Sequence, residues 1–180
     1  MHQNKSYHPF LILFTGLSGA GKSTIANALQ SKLETDGFSS YLLDGDILRK
    51  GINKDLSFSP EDRKENLRRM AEIASLFLDA GFIVLSAFIT PYKESRNVIK
   101  EIVGKENYLE IFVNTSLDTC IKRDVKGLYE KAKKGEIKNM TGIDAPYEVP
   151  ENPFLEIKEE NPLEQTIELI YTAIQNKLKV

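Results

Sequence analysis

One short segment limits the fold of this chain more than any other. Residues 16–23, Gly-Leu-Ser-Gly-Ala-Gly-Lys-Ser, match the pattern G-x-x-x-x-G-K-[S/T] in full. Its glycines let the loop curl so that backbone N–H groups point at a phosphate, Lys22 can bridge β- and γ-phosphate oxygens, and Ser23 can offer its hydroxyl to Mg²⁺. An apolar run at residues 10–15 precedes the loop and a helical pattern follows it. This strand–loop–helix context predicts a nucleotide-binding site.

Apolar runs and amphipathic patterns alternate along the rest of the chain. Strands are predicted at residues 10–15, 41–43, 82–88, 109–113 and 154–157. Repeated strand–helix units need right-handed crossovers, which make the strands parallel. We therefore expect an α/β fold: a three-layer sandwich with a mainly parallel five-stranded sheet and helices on both faces. This is the P-loop NTPase fold, in a single domain of residues 1–180.

Several residues are typical of helix starts. Ser59 and Pro60 predict the start of a helix that Gly81 ends. Thr90 precedes Pro91, so we expect Thr90 to cap the next helix. The carboxylates at Asp62 and Glu164 stand at capping positions of their helices.

Charge and cysteine content exclude some classes of protein. The formal net charge of −2 gives no reason to expect nucleic acid as a partner. The single cysteine, Cys120, cannot form an intrachain disulfide, which favours a reducing compartment. No apolar run approaches the roughly 20 residues that span a membrane. A cytoplasmic protein without a membrane partner is expected.

A second motif follows the second predicted strand, where Asp44 and Asp46 flank a glycine. Ligands of open parallel sheets bind at the carboxyl ends of the strands, so both carboxylates should face the same crevice as the loop. A carboxylate there can accept the proton of an attacking hydroxyl or hold Mg²⁺ through water. The alternative is a turn without a catalytic role, because Asp-Gly-Asp also suits turns.

Among nucleotide-binding classes, a small-molecule kinase is favoured. A GTPase would need a guanine-reading Asn-Lys-x-Asp segment late in the chain. The only similar string, at residues 53–55, comes early and has the wrong spacing. Motor and AAA-type ATPases are normally longer than this chain of 180 residues.

Taken together, these segments resemble the adenylylsulfate kinase family from about residue 10 to about residue 157. The resemblance lies in residues 16–24, 43–46 with Arg49, 51–56, 58–63, 65–69, 88–89, 122–129, 135–138, 141–144 and 146–153. It implies transfer of the ATP γ-phosphate to the 3′-hydroxyl of adenylyl sulfate. The product would be 3′-phosphoadenylyl sulfate, the activated sulfate donor.

The resemblance also implies roles for single residues. Catalytic roles are expected for Asp46, which would receive or align the 3′-hydroxyl proton, and for Lys22, Asp44 and Thr90. ATP contacts are expected from Gly16, Gly19, Ala20, Gly21, Lys22, Ser23, Thr24 and Arg123. Acceptor contacts are expected from Asp46, Arg49, Phe58 (stacked on the adenine), Arg63, Asn66, Ile89, Thr90, Lys126, Asn139 and Met140. Mg²⁺ bound with ATP is the expected cofactor, held by Ser23 and Asp44 directly or through water, with no tightly bound organic cofactor.

Larger features are implied in the same way. A basic segment around residues 122–150 is expected to form a mobile lid that excludes water before transfer. A homodimer is expected, with an ATP sulfurylase as a further partner. Family members usually have serine at position 90, sometimes assigned as a phosphorylated intermediate. We expect capping from Thr90 instead, because in-line transfer between two bound nucleotides needs no covalent step.

Two departures from the family pattern concern the acceptor. Ile47 replaces an asparagine, and Thr90 replaces the serine. They leave room for a kinase that phosphorylates the 3′-hydroxyl of another nucleotide diphosphate-like acceptor, as in surface polysaccharide assembly. A non-catalytic nucleotide-binding module that partners a sulfurylase is the other alternative. The acceptor-side carboxylates argue against it, because binding alone does not need them.

Overall fold

The structure is a computed structural model that describes residues 7–179. Within that range, five strands form one sheet in the order β2-β3-β1-β4-β5, and each pair of neighbours is parallel. The strands are β1 (Leu11–Thr15), β2 (Ser40–Asp44), β3 (Ile83–Ala87), β4 (Tyr108–Asn114) and β5 (Leu155–Lys158). The predicted α/β fold is confirmed, with a sheet that is wholly parallel. The ends of the predicted domain, residues 1–6 and 180, lie outside the described residues.

Helices connect the strands. They are α1 (Lys22–Thr35), α2 (Gly45–Lys50), α3 (Pro60–Asp79), α4 (Lys93–Val103), α5 (Leu117–Arg123), α6 (Leu128–Lys133) and α7 (Leu163–Ile174). In the described part of the chain, no helix is both long and apolar enough to cross a membrane.

The central strand β1 separates two apolar cores. Ile12 and Phe14 pack in the core that contains the buried residues of α1 and α7. Leu11 and Leu13 point to the other face and pack with the buried residues of α3 and α4. Because side chains alternate along a strand, a strand covered on both faces must be apolar at every position. This explains the continuous apolar run before the phosphate-binding loop.

Of the four predicted capping residues, one is confirmed and three are wrong. Ser59 Oγ accepts a hydrogen bond from the backbone N–H of Asp62 at 3.1 Å, and α3 begins at Pro60. Thr90 caps nothing, because α4 begins only at Lys93 and a carboxylate from another segment accepts the Lys93 N–H. Glu164 makes no capping hydrogen bond at α7.

The carboxylate of Asp62 also differs from its predicted capping role. It accepts hydrogen bonds from the backbone N–H and the hydroxyl of Ser57, which lies upstream of the helix. The bond stabilises the turn that leads from α2 into α3.

Three short helices were not predicted as separate elements. α2 starts at the residue after β2, where the Asp44 carboxylate accepts the N–H of Asp46 at 2.9 Å. α5 and α6 lie in the polar stretch after β4. Each has six or seven residues, which is too short for a helical periodicity to stand out in the sequence.

Candidate active site

A cleft of ≈ 800 Å³ opens at the carboxyl ends of the strands, as expected for a parallel sheet. Its walls come from the phosphate-binding loop, α2, the start of α3, the segment after β3 and the segment after α5. The predicted site residues that line it are Gly19, Ala20, Gly21, Lys22, Ser23, Thr24, Asp44, Asp46, Arg49, Phe58, Arg63, Asn66, Ile89, Thr90, Arg123, Lys126 and Met140. The structure thus brings together all the predicted site residues except Gly16 and Asn139.

The phosphate-binding loop needs glycine at its first position. Gly16 has φ +145°, and a Cβ placed there would lie 2.6 Å from the carbonyl oxygen of Val113. Backbone of β4 therefore packs directly against the start of the loop. Helix α1 begins at Lys22, so its N-terminus lies in the cleft wall with the loop N–H groups. This arrangement favours an anion at that end of the helix.

Lys22 is turned back into its own loop. Its Nζ donates hydrogen bonds to the carbonyl oxygens of Gly16 at 3.0 Å and Leu17 at 2.6 Å. Burial, and after it the charge of Lys126, lowers the pKa of Lys22 to about 8. Within residues 7–179, the hydrogen bonds of this buried cation go only to carbonyl oxygens, and nucleotide phosphate oxygens would be a better partner.

Ser23 and Asp44 connect the loop with the end of β2. Ser23 Oγ donates a hydrogen bond to Asp44 Oδ2 at 2.9 Å. A hydroxyl and a carboxylate side by side are the hard oxygen ligands that Mg²⁺ prefers, so the pair fits that ion. Residues 7–179 contain no group of three or more His, Cys, Asp or Glu residues that could hold a metal. A pair of protein oxygens next to a phosphate site suits Mg²⁺ that is shared with nucleotide phosphates.

Asp46 lies in the first turn of α2 and forms an ion pair with Lys126. Both side chains are about half exposed and both line the cleft. The carboxylate is therefore accessible from the cleft, as a proton acceptor for an incoming hydroxyl must be.

Two arginines line the same cleft as Asp46. Arg63 Nε donates to the carbonyl oxygen of Phe58 at 3.0 Å, and its Nη1 lies 3.4 Å from Thr141 Oγ1. Burial, and after it the charge of Arg63, lowers the pKa of Arg49. Two guanidinium groups this close together form a ready site for an anionic ligand.

Phe58 is 65% exposed although it is large and apolar. The guanidinium of Arg49 lies over its ring, 4.4 Å from the centroid. With one face covered by a cation, the ring can stack on a planar ligand through its other face.

Asn66 is buried in α3, and its side chain is held by a residue that sequence analysis did not single out. Asn53 Nδ2 donates to Asn66 Oδ1 at 2.9 Å, and Asn53 is fully buried. The bond orients the Asn66 amide so that its NH₂ group is left for the cleft. The only available signal was the position of Asn53 inside a segment that resembles the family.

Ile89 and Thr90 form the wall after β3. Thr90 has φ +46°, a left-handed conformation that is rare for a β-branched residue. Among the described residues, its buried Oγ1 has no hydrogen-bond partner. The backbone carbonyls of both residues accept hydrogen bonds from Thr15 Oγ1.

The remaining acceptor residues differ in position. Met140 is buried in the cleft wall. Asn139 is exposed, and its backbone N–H donates to Asp144 Oδ2 at 2.7 Å. The exposed Ile47 also lies outside the cleft lining. The sequence predicts that this departure from the family pattern affects the acceptor side, but Ile47 forms no part of the cleft wall.

On the loop side, Arg123 Nη1 donates to the carbonyl oxygen of Gly19 at 3.3 Å. Tyr129 was not predicted as a site residue, although its buried hydroxyl donates to the carbonyl oxygen of Ser18 at 2.9 Å. Lys158 and Glu159, which line the cleft where β5 ends, were not predicted either. The carboxyl-end rule could have found these two, because a fifth strand was predicted at residues 154–157.

The segment predicted as a lid, residues 122–150, is held to the body at several points. Its hydrogen bonds reach the loop through Arg123 and Tyr129, α3 through Thr141, and β1 through Tyr147. The lid and its boundaries stay a prediction.

Comparisons with known proteins point to one family. The family model of adenylylsulphate kinase matches residues 8–158. An adenylyl-sulfate kinase of Vibrio vulnificus (strain YJ016) is 50% identical over 167 residues, which cover 92% of this chain and 81% of the relative.

Two solved structures are similar along nearly the whole chain. One is an APS kinase of Mycobacterium tuberculosis in complex with AMPPNP and APS, with a TM-score of 0.91, 41% identity, and coverage of 94% of this chain and 99% of the other. The other is a hexameric APS kinase from Thiobacillus denitrificans, with a TM-score of 0.73 and 29% identity, which matches 98% of this chain but only 30% of the longer one.

Proposed function

The chain belongs to the adenylylsulfate kinase family, and from that premise we propose that it transfers the γ-phosphoryl group of ATP to the 3′-hydroxyl of adenylyl sulfate. One observation carries the proposal: a single cleft joins a complete phosphate-binding loop to Asp46 and a group of cationic side chains. A kinase needs a donor site and an acceptor site that share one space, because transfer is direct and in line.

The loop would bind the ATP phosphates. Lys22 would leave its carbonyl partners and contact β- and γ-oxygens, while the N-terminus of α1 adds backbone N–H groups. Ser23 and Asp44 would hold Mg²⁺ at the phosphates. When bound, Mg²⁺ neutralises charge that develops on the transferring group.

The other half of the cleft would bind adenylyl sulfate. Arg49 and Arg63 offer charge-assisted hydrogen bonds to its phosphate and sulfate oxygens. Phe58 would stack on the adenine, and the Asn66 amide would donate to the nucleotide. Ile89, Thr90 and Met140 would complete the acceptor side of the site, and the exposed Asn139 would lie at its outer edge.

Asp46 would accept the proton of the attacking 3′-hydroxyl. Its carboxylate is paired with Lys126 in this structure, so the acceptor must replace that contact. Half-exposed ion pairs are worth only about 0–1 kcal/mol, so the exchange costs little. Lys126, once released, can bind the anionic acceptor itself.

Assembly and location belong to the proposal as well. A homodimer, a partner ATP sulfurylase and a cytoplasmic location follow from the family resemblance and from the cysteine content of the sequence. The hexameric relative indicates that larger assemblies occur in this family. Light scattering on the purified protein would give the mass of the assembly.

Steady-state ADP release in the presence of Mg-ATP tests the function. Adenylyl sulfate should support turnover, while AMP should not be phosphorylated at a comparable rate because it lacks the sulfate that the arginines recognise. Turnover only with another nucleotide diphosphate-like acceptor would replace adenylyl sulfate with that compound. ATP binding without turnover on any acceptor would support the non-catalytic alternative.

A further inference from the structure

The wall between the donor and acceptor halves of the cleft is held in an unusual backbone conformation. Thr90 has φ +46°, although its branched side chain disfavours that region. Its own hydroxyl does not stabilise it, because Oγ1 has no hydrogen-bond partner among residues 7–179. The conformation must therefore be maintained by what binds the backbone.

The carbonyl oxygens of residues 89–90 are those binding points. The Ile89 oxygen lies 2.7 Å from Thr15 Oγ1 and accepts the N–H of Gly16 at 3.4 Å. The Thr90 oxygen lies 3.0 Å from Arg96 Nη1 and 3.3 Å from Thr15 Oγ1. Gly16 is the first residue of the phosphate-binding loop, so the acceptor wall and the donor loop are hydrogen-bonded to each other.

Thr15 depends in turn on Tyr147. The two hydroxyl oxygens are 2.9 Å apart. Thr15 has one hydroxyl proton, and it is donated to the carbonyl oxygens, so Tyr147 must be the donor to Thr15. Burial raises the pKa of Tyr147 to about 12, so the phenol keeps its proton at neutral pH. The ring of Tyr147 stacks on Phe112 with centroids 5.9 Å apart, which holds the hydroxyl in place.

A buried ion pair supports the same wall from the other side. Arg96 is 5% exposed, and its Nε lies 3.3 Å from Glu110 Oε1, an ion-pair distance without hydrogen-bond geometry. The second Glu110 oxygen accepts the hydroxyl of Tyr108 at 2.9 Å. The guanidinium that holds the Thr90 carbonyl is therefore itself fixed.

Tyr147 also belongs to the segment predicted as a lid, residues 122–150. Its neighbour Glu148 donates a backbone N–H to the carbonyl oxygen of Pro91 at 2.8 Å, and the Glu148 carboxylate accepts the N–H of Lys93 at 2.6 Å. Segment 147–148 thus binds the acceptor wall and the start of α4 together. Neither Tyr147 nor Thr15 lines the cleft, so any effect on transfer must pass through residues 89–90.

We propose that Tyr147 is a positioning residue of the transfer reaction: through Thr15, it aligns the backbone of residues 89–90 with the phosphate-binding loop. The alignment places the acceptor hydroxyl on the line of the γ-phosphate, where small displacements cost rate. The inference rests on the proposed function, since it concerns the acceptor of that reaction.

The test is Tyr147→Phe, which removes the hydroxyl and keeps the stacked ring. Tyr7→Phe is the matched control, because Tyr7 also packs on a buried ring, Phe38, and donates its hydroxyl to a carbonyl, that of Gly81 at 2.7 Å. The Tyr7 contacts lie at the amino ends of the strands, at the opposite edge of the sheet from the cleft.

Three quantities are measured: kcat and KM for each substrate, the ratio of transfer to ATP hydrolysis by water, and the melting temperature. In Tyr147→Phe, the transfer-to-hydrolysis ratio should fall about 5- to 10-fold, the effect of losing one hydrogen bond. The KM for ATP should stay within about twofold, because the loop still binds the phosphates. In Tyr7→Phe, the ratio should not change.

A double variant shows whether Tyr147 acts through Thr15. Thr15→Val combined with Tyr147→Phe should lower the ratio no further than Thr15→Val alone, because both remove the same link. If the wild type phosphorylates adenylyl sulfate, two results would overturn the inference alone. One is an unchanged transfer-to-hydrolysis ratio in Tyr147→Phe, and the other is additive losses of that ratio in the double variant. A wild type that does not phosphorylate adenylyl sulfate would overturn the proposed function and this inference together.

Discussion

The carboxylate of Asp46 and the ammonium group of Lys126 form an ion pair inside the cleft, although 80 positions separate them in the sequence. The pair joins α2 to the segment between α5 and α6. It places the proposed proton acceptor and a proposed acceptor-binding lysine next to each other before any substrate arrives. Each side chain has a separate role in the account, so each can be tested separately.

Replacing Asp46 by asparagine should abolish proton acceptance and leave the fold intact. We expect Asp46→Asn to lower kcat by roughly 10²-fold or more, the scale of a general base, with unchanged ATP affinity. Stopped-flow ADP release and calorimetric ATP binding measure the two effects. Asp79→Asn, an exposed change at the end of α3, is the control and should behave as wild type. Turnover near that of wild type in Asp46→Asn would remove Asp46 from this role.

Replacing Lys126 by methionine should weaken acceptor binding. We expect Lys126→Met to raise the KM for adenylyl sulfate about tenfold, the loss of one charge-assisted hydrogen bond, and to leave the KM for ATP nearly unchanged. Lys131→Met, on the exposed side of α6, should change neither constant. Equal effects of the two substitutions would mean that only the overall charge of the segment matters.

ATP affinity should depend on pH through Lys22. Its pKa in the free protein is about 8 because the group is buried, and bound phosphates should raise that pKa. The complex then holds more protons than the free protein above about pH 8, so ATP binding takes up a proton and weakens by up to about tenfold per pH unit. Calorimetry at about pH 8.5 in two buffers of different ionisation enthalpy measures the proton uptake. Lys22→Met should bind ATP more weakly and take up no proton; uptake that persists would assign the effect to another group.

The same lowered pKa has a consequence for stability. In the unfolded chain, Lys22 keeps its ordinary pKa of 10.5, above the folded value of about 8. Below about pH 8, the buried charge of Lys22 lowers the free energy of unfolding by its full amount. As the pH rises from there towards 10.5, this destabilisation is relieved and the free energy of unfolding increases.

The hydroxyl of Thr90 should be dispensable. It is buried, and no hydrogen bond to it is found within residues 7–179, so it neither caps α4 nor holds another group. We expect Thr90→Ala to keep kcat within about tenfold of wild type, because transfer in line needs no phosphorylated residue. Loss of activity on the scale of Asp46→Asn, with serine restoring it, would instead point to a covalent intermediate.

Among the loop glycines, Gly16 should be the one whose replacement by alanine destabilises the protein most. A Cβ there would lie 2.6 Å from the Val113 carbonyl oxygen, whereas one at Gly37 would meet nothing within 4 Å. Both have positive φ, so Gly37→Ala controls for backbone strain. Gly16→Ala should destabilise the protein by about 1–3 kcal/mol more than Gly37→Ala and should also weaken ATP binding. Equal melting temperatures would contradict the close approach of β4 to the loop.

The fold could be predicted because local patterns agree with it. A continuous apolar run predicts a strand buried on both faces, and β1 separates two cores. The loop glycines predict the phosphate site for a similarly local reason. Ser59 was correctly predicted as a cap because its partner lies three residues away.

What the sequence did not predict depends on contacts between distant segments. Thr90 before Pro91 looks like a cap, but the Lys93 N–H is taken by Glu148, 55 positions away. The bond from Asn53 to Asn66 and the link between Tyr147 and Thr15 are of the same kind. Only the folded chain brings such partners together, so no periodicity or spacing in the sequence predicts these contacts.

The most direct test of the account is the position of the transferred phosphate. The protein is incubated with Mg-ATP and adenylyl sulfate, and the product is identified by phosphorus and proton NMR. We expect one ADP to be released for each phosphate that appears on the ribose 3′-hydroxyl of adenylyl sulfate. A phosphate at another position, or ADP release without a phosphorylated adenylyl sulfate, would contradict it.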